Sequence, residues 1–94
     1  MSRGIFALPW FMSGYYVRTR DLMADRDQLP EDYDVWLLST RQIEGELKRV
    51  GYEITRVMIK PQAFLAWCKE QQMAPDGQAR TAYAKAMAVG ASSS

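Results

Sequence analysis

The chain has 94 residues, of which 48% are hydrophobic and 24% are charged, a composition typical of one soluble globular domain. Its formal net charge of +1 gives no strong overall attraction to nucleic acid or to an anionic membrane. The absence of histidine excludes the serine and cysteine triads that use an imidazole base, and the single cysteine excludes an internal disulfide or a zinc–thiolate cluster. We expect one domain over residues 1–89 and a disordered tail over residues 90–94.

The densely apolar run at residues 5–12 is too short to span a membrane. It contains Pro9, Trp10 and Phe11, which are typical of a folded segment, and it lacks a small-residue cleavage site, so we do not predict a signal peptide. Pro9 also argues against a helix interior or a central strand here. Because a single cysteine favours a reducing compartment, the sequence predicts a cytoplasmic protein without a membrane partner.

Two interpretations compete for the residues that follow this run. Ser13 and Gly14 can form a tight turn between two hairpin strands, or Ser13 can cap a helix that continues to Arg26. The first residues after the turn are rich in strand formers, and those beyond them are not. We therefore predict a strand at 14–19 and a short helix at 20–27.

Residues 34–73 carry a β-α-β-α pattern on which the fold prediction depends. The apolar run at 35–38 predicts a buried strand, and residues 52–59 predict a second one. A helix at 40–50 lies between them, and a connection of this length is typical of a right-handed parallel crossover. Pro61 is well placed as the first residue of the next helix, which is predicted to continue to residue 73.

Glycine and capping residues mark the remaining helix boundaries. Gly51 supplies a left-handed stop for the middle helix, whereas Gly45 within it is expected to let the helix approach the sheet closely. Asp76 caps a final amphipathic helix over residues 77–89. The sequence thus predicts an α/β or α+β fold, with a small, partly parallel sheet of three to four strands and three to four helices.

Few residues are candidates for chemistry, and we predict no catalytic residue. Cys68 lies within a predicted helix with no base available, so we interpret it as a buried structural thiol. The acidic residues between 21 and 34 do not match a calcium loop, and no metal or cofactor is predicted. A carboxylate enzyme that uses Asp25, Asp27 or Asp34 is a third hypothesis, which would require a cleft and raised carboxyl pKa values.

The aromatic N-terminal segment favours a protein contact. Aromatic side chains flanked by arginine carry much of the binding energy at protein interfaces, and short sheets have edges to protect. The leading hypothesis is a small adaptor or regulatory module without catalytic activity, either a homodimer or bound to another protein. Its predicted contact residues are Phe6, Trp10, Phe11, Tyr15 and Tyr16.

Basic residues on the middle helix and second strand support an alternative, a nucleic-acid-binding regulatory protein. Such a patch could contact phosphates, although Glu44, Glu46 and Glu53 lie among the cations. The strand at 52–59 also argues against a helix-turn-helix motif. The predicted nucleic-acid contacts are Arg41, Lys48, Arg49, Arg56 and Lys60.

Overall fold

The computed structural model describes residues 3–92, which form a small α/β structure of two strands and four α-helices. The strands are β1 (Ile5–Trp10) and β2 (Glu53–Met58). The helices are α1 (Tyr16–Asp21), α2 (Tyr33–Arg49), α3 (Pro61–Gln71) and α4 (Gly77–Ser92). Two single-turn 3-10 helices lie at Ser13–Tyr15 and Arg26–Gln28.

β1 and β2 form a two-stranded parallel sheet in the part of the chain that the structure describes. Ile5 lies opposite Glu53 and Trp10 lies opposite Met58, and α1 and α2 make the connection between the strands. The predicted parallel pairing is therefore present. The predicted count of three to four strands is not confirmed, because among the described residues the sheet contains only these two.

Residues 35–38 lie in α2 rather than in a strand, so the first strand of the predicted β-α-β-α unit is wrong. The helix begins after Asp32, whose Oδ1 accepts a hydrogen bond from the Asp34 N–H at 3.3 Å. Of the four apolar side chains only Trp36 is buried, and the two at the ends of the run are exposed. A short apolar run has no periodicity that separates a strand from one turn of a helix, and here the helical cap decides.

The segment after β1 is helical, contrary to the strand predicted at 14–19. A 3-10 turn leads directly into α1, which buries Tyr16 and Thr19 at helical spacing. The alternative that began a helix near Ser13 is closer to the structure, although Ser13 makes no capping contact there. The helix predicted at 20–27 is replaced by the end of α1 and the second 3-10 turn, because burial of Tyr16 and Thr19 outweighs strand propensity.

The second half of the chain follows the predictions closely. β2 and α3 occupy the predicted positions, and Pro61 is the first residue of α3. Asp76 begins α4 as predicted, since its Oδ1 accepts the Ala79 N–H at 3.0 Å. α4 continues through residues 90–92, where the sequence predicts a disordered tail, and residues 93 and 94 lie outside the described residues.

The core contains two aromatic clusters. Around α2, five buried or half-buried rings meet in pairs with centroids 5.1–6.0 Å apart, and they belong to Trp10, Phe11, Tyr16, Tyr33 and Trp36. Between α3 and α4, Tyr83 packs against Phe64 and Trp67, each with centroids 5.4 Å apart. α4 packs against both strands, and α2 packs against β2. Within residues 3–92, no helix is long and apolar enough to cross a membrane.

Gly45 does not mediate close packing of α2 on the sheet, contrary to expectation. The residue is exposed, and a Cβ added to it would meet nothing within 4 Å. The helix instead turns Trp36, Thr40 and Glu44 inwards at four-residue intervals. Gly45 therefore lies on the solvent side of α2, where it lowers helix stability without any packing benefit in the monomer.

Candidate protein-interaction site

The structure divides the five predicted aromatic contact residues between the core and the surface. Trp10, Phe11 and Tyr16 are only 4%, 2% and 1% exposed, so these three side chains are unavailable as a contact surface. Phe6 is half-buried and Tyr15 is 48% exposed. The accessible part of the N-terminal segment is therefore the beginning of β1 and the turn at Tyr15.

The outer edge of β1 presents backbone groups that are not paired with β2. The Gly4 carbonyl accepts the Glu53 N–H and the Trp10 carbonyl accepts the Ile59 N–H, each at 2.9 Å. Because successive residues of a strand direct their backbone groups to opposite sides, the groups of Ile5 and Ala7 point away from β2. Pro9 occupies the next outward position, which explains how the strand accommodates a residue that lacks an N–H.

A groove runs between this strand and the second half of α4. Its volume is about 580 Å³, and its lining is mainly apolar. Ile5 and Val89 are exposed by 60% and 63%, respectively, and both line the groove. Lys85 is the cation in the lining, which consists of Ile5, Phe6, Ala7, Thr81, Lys85, Ala88 and Val89.

The residues of α4 that line the groove follow from the periodicity of the helix. Ala79 and Ala84 are fully buried, and their small side chains let the helix lie close to the sheet. Thr81, Lys85 and Val89 follow one another at four-residue intervals and form one flank of the helix. The residues of this groove other than Phe6 were not singled out from the sequence. The signal that could have found them is Pro9, because proline within a strand is typical of an edge strand.

The predicted basic patch is divided by ion pairs and distance. Arg56 donates two hydrogen bonds to Glu44, at 2.7 and 2.8 Å, and its guanidinium lies 3.9 Å from the centre of the Trp10 ring. These bonds lower the pKa of Glu44, and the nearby charges of Lys48 and Arg41 act in the same direction. Arg56 therefore contacts this buried carboxylate directly, and Arg41 and Lys48 lie three and four residues from Glu44 on the same side of α2.

The other two basic residues are also not free members of a common patch. Arg49 pairs with Glu46 at 2.6 Å on the exposed side of α2. Lys60 lies beyond β2, where it lines a separate pocket with Tyr15 and Arg18. Arg56 is thus held in a partly buried ion pair, whereas the Arg49–Glu46 pair is largely exposed. Nucleic-acid binding through these residues stays a prediction.

Asp25, one of the three candidate catalytic carboxylates, is held in an ion pair. The Arg80 guanidinium donates hydrogen bonds of 2.8 and 2.7 Å to the two carboxylate oxygens of Asp25. These hydrogen bonds lower the pKa of Asp25 despite the opposing effect of burial, whereas a catalytic acid at neutral pH needs a raised pKa. Asp27 and Asp34 are exposed.

Cys68 is buried, and burial raises the pKa of its thiol, consistent with the structural role inferred from the sequence. Over residues 3–92, no cluster of three or more histidine, cysteine, aspartate or glutamate residues could hold a metal ion.

Comparisons with known proteins identify no relative of this chain. No protein-family model matches it, and neither a curated protein nor a solved structure does. Function is therefore inferred from the geometry of the described residues.

Proposed function

We propose that the protein is a small adaptor or regulatory module whose N-terminal strand binds an extended segment of a protein partner. The observation that carries the proposal is the outward direction of the Ile5 and Ala7 backbone groups beside an apolar groove. An exposed strand edge is a template for a further strand, and many peptide-binding domains use such an edge. The N-terminal segment keeps its predicted role in protein contact, but through its backbone and its exposed side chains.

The edge of β1 has enough hydrogen-bonding groups for a short added strand. Ile5 and Ala7 each offer one N–H and one C=O, and Pro9 adds a C=O without an N–H. Each new hydrogen bond contributes about 0.5–1.5 kcal/mol, so these bonds need additional side-chain burial for useful affinity. The exposed side chains of Ile5 and Val89 supply apolar area for this purpose.

The lining of the groove defines the chemistry of the partner segment. A bound strand would direct alternate side chains towards the groove, because side chains along a strand alternate between its two faces. The positions of the bound strand that face Ile5 and Val89 favour valine, isoleucine or leucine. Lys85 favours an acidic residue at the next position that faces the groove. The expected ligand is therefore an extended segment of alternating apolar residues with one carboxylate.

Ala7→Pro tests this proposal at one backbone atom. A random peptide library displayed on phage would be selected on the wild-type protein, and the recovered peptides would be titrated against both proteins by fluorescence anisotropy. We expect alternating apolar peptides that lose at least roughly tenfold in affinity on Ala7→Pro, since one N–H donor and its pairing geometry are removed. The variant should remain folded, because this N–H does not face β2.

Pro9→Ala is the matched control, since it adds an N–H donor to the same edge. It should leave affinity unchanged or increase it for peptides long enough to reach this position. Recovery of no extended peptides, or equal binding by wild type and a folded Ala7→Pro variant, would refute strand addition at β1. Circular dichroism and thermal unfolding establish that the variants are folded.

A further inference from the structure

α2 and Val50, the residue that ends it, expose four large apolar side chains that lie outside the buried core. Val35, Leu38, Ile43 and Val50 are 53%, 64%, 52% and 49% exposed. Trp36, Thr40 and Glu44, on the opposite side of the helix, are buried against the rest of the fold. Isolated apolar residues are common on protein surfaces, but Val35 and Leu38 are neighbours on one face of the helix, whereas Ile43 lies about 140° around the helix from Leu38.

Gly45 opens a hollow on the same side of α2 as Leu38, two turns further along the helix. Nothing lies within 4 Å of the position of its missing Cβ, and Ser39, Gln42, Ile43 and Glu46 lie around it. A glycine at an exposed helix position costs about 1 kcal/mol relative to alanine. Because glycine has no side chain at this point, the backbone of a second helix can approach α2 closely.

The two ends of α2 carry opposite charges. Glu31, Asp32 and Asp34 lie at its beginning, whereas Lys48 and Arg49 lie in its last turn. A second copy of α2 in antiparallel orientation would bring the acidic end of each helix to the basic end of the other. A parallel arrangement would place like charges together at both ends.

We propose that α2 pairs with α2 of a second copy of this chain, antiparallel and about a two-fold axis near Gln42. In this arrangement Asp34 of each copy faces Arg49 of the other, and Leu38 packs near the hollow at Gly45. Residues 34 and 49 are separated by about 22 Å along a helix, so the two charge contacts act nearly independently at physiological ionic strength.

The charge contacts in this dimer require no loss of a strong existing interaction. Arg49 pairs with Glu46 in the monomer, but both side chains are largely exposed, at 73% and 66%. Such a surface pair contributes little to stability and can exchange partners. The Asp34 side chain is exposed at the first turn of α2. Because of the two-fold symmetry, the same Asp34–Arg49 contact forms at both ends of each helix.

The dimer leaves the proposed partner groove accessible. The groove lies between β1 and α4, whereas α2 packs against β2. An α2 dimer would therefore present two separate β1 edges, and its affinity for a partner with two binding segments would gain from bivalency. The pairing of α2 itself does not depend on peptide binding at β1.

Charge reversal on two variants tests both the interface and its orientation. Asp34→Lys and Arg49→Glu would each be measured by sedimentation equilibrium at low salt, alone and as an equimolar mixture. We expect a wild-type dimer and a dissociation constant about tenfold higher for each variant alone, because each symmetric contact becomes repulsive. The mixture should recover wild-type association as a heterodimer. One of its two contacts then joins the two substituted positions, with their charges exchanged, and the other keeps its native pair.

Lys69→Glu is the matched control for net charge, since this exposed residue lies on α3, outside the proposed interface. It should change association much less than Arg49→Glu. A monomeric wild type, or a mixture that associates no better than the separate variants, would overturn the proposal. Ala7→Pro should leave association unchanged, so failure of α2 pairing and failure of peptide binding are distinguishable.

Discussion

Arg80 of α4 holds Asp25 through two charge-assisted hydrogen bonds, with N–O distances of 2.8 and 2.7 Å. The two residues are 55 positions apart in the sequence, and both side chains are mostly buried. The same guanidinium lies 5.4 Å from the centre of the Phe11 ring. The acidic loop after α1 is thus attached to the last helix, and Asp25 is the anchor of this attachment.

This ion pair should make the stability of the protein depend on acid pH. Because Arg80 lowers the pKa of Asp25 in the folded state, the contribution is fully present above the unfolded pKa, near 3.8. It is lost as the pH falls from this value through the lower folded pKa. Urea unfolding between pH 2 and pH 6 should therefore show a smaller acid-induced loss of stability for Asp25→Asn than for wild type.

Asp27→Asn is the control for this experiment, because Asp27 is exposed and forms no ion pair among the described residues. It should keep the wild-type pH dependence. At pH 7, Arg80→Ala should destabilise the fold by about 3 kcal/mol, since it leaves a largely buried carboxylate unpaired. An Asp25→Asn variant with an unchanged pH profile would contradict the anchoring role.

Substitution of Trp10 should strongly destabilise the fold. Trp10 is 4% exposed, its ring meets Trp36 at 5.4 Å, and Arg56 lies against it. Trp10→Ala should cost about 3–5 kcal/mol, a large part of the stability of a domain of this size. Urea or thermal unfolding measures this change, and Tyr15→Ala, at an exposed position, should shift the free energy of unfolding by less than about 0.5 kcal/mol.

Local signals in the sequence were sufficient for the second half of the fold. Pro61 and Asp76 define helix starts through properties of single residues, a fixed φ angle and a side-chain cap. The alternation at 52–59 was long enough to indicate a strand. The run at 35–38 was not, because four apolar residues fit a helical turn equally well once Asp32 caps the helix.

Other features of the fold depend on contacts between residues that are distant in the sequence, and local patterns could not predict them. The pairing of Asp25 with Arg80 has no local pattern, since it depends on where α4 crosses the loop after α1. Trp10 and Tyr16 are of residue types that are common at interfaces as well as in cores. Their contacts with α2 place both of them in the core. Pro9 indicates an edge strand, but the backbone groups of β1 that face outwards became identifiable only when the partner strand and its register were known.

Gln72 should be a site where glycine stabilises the protein. It ends α3 in the left-handed conformation, with φ 57°, which costs a residue with a Cβ roughly 1 kcal/mol. Gln72→Gly should increase the free energy of unfolding by about 0.5 kcal/mol after the larger entropy of the unfolded chain is included. Gln71→Gly, one position earlier within the helix, should instead decrease it by about 1 kcal/mol. Equal effects of the two substitutions in urea unfolding would show that the left-handed stop is not at Gln72.

Gly45→Ala should stabilise the monomer, since the added Cβ meets nothing within 4 Å and alanine favours the helix. The expected gain is about 0.5–1 kcal/mol in urea unfolding, measured in the Arg49→Glu background so that association at α2 does not contribute. Gly51→Ala is the opposing control, because Gly51 has φ 108°, a conformation that strains any residue with a Cβ. A loss of stability in Gly45→Ala would show that this side of α2 is packed rather than exposed, and that result would also exclude α2 as a free surface for a second copy.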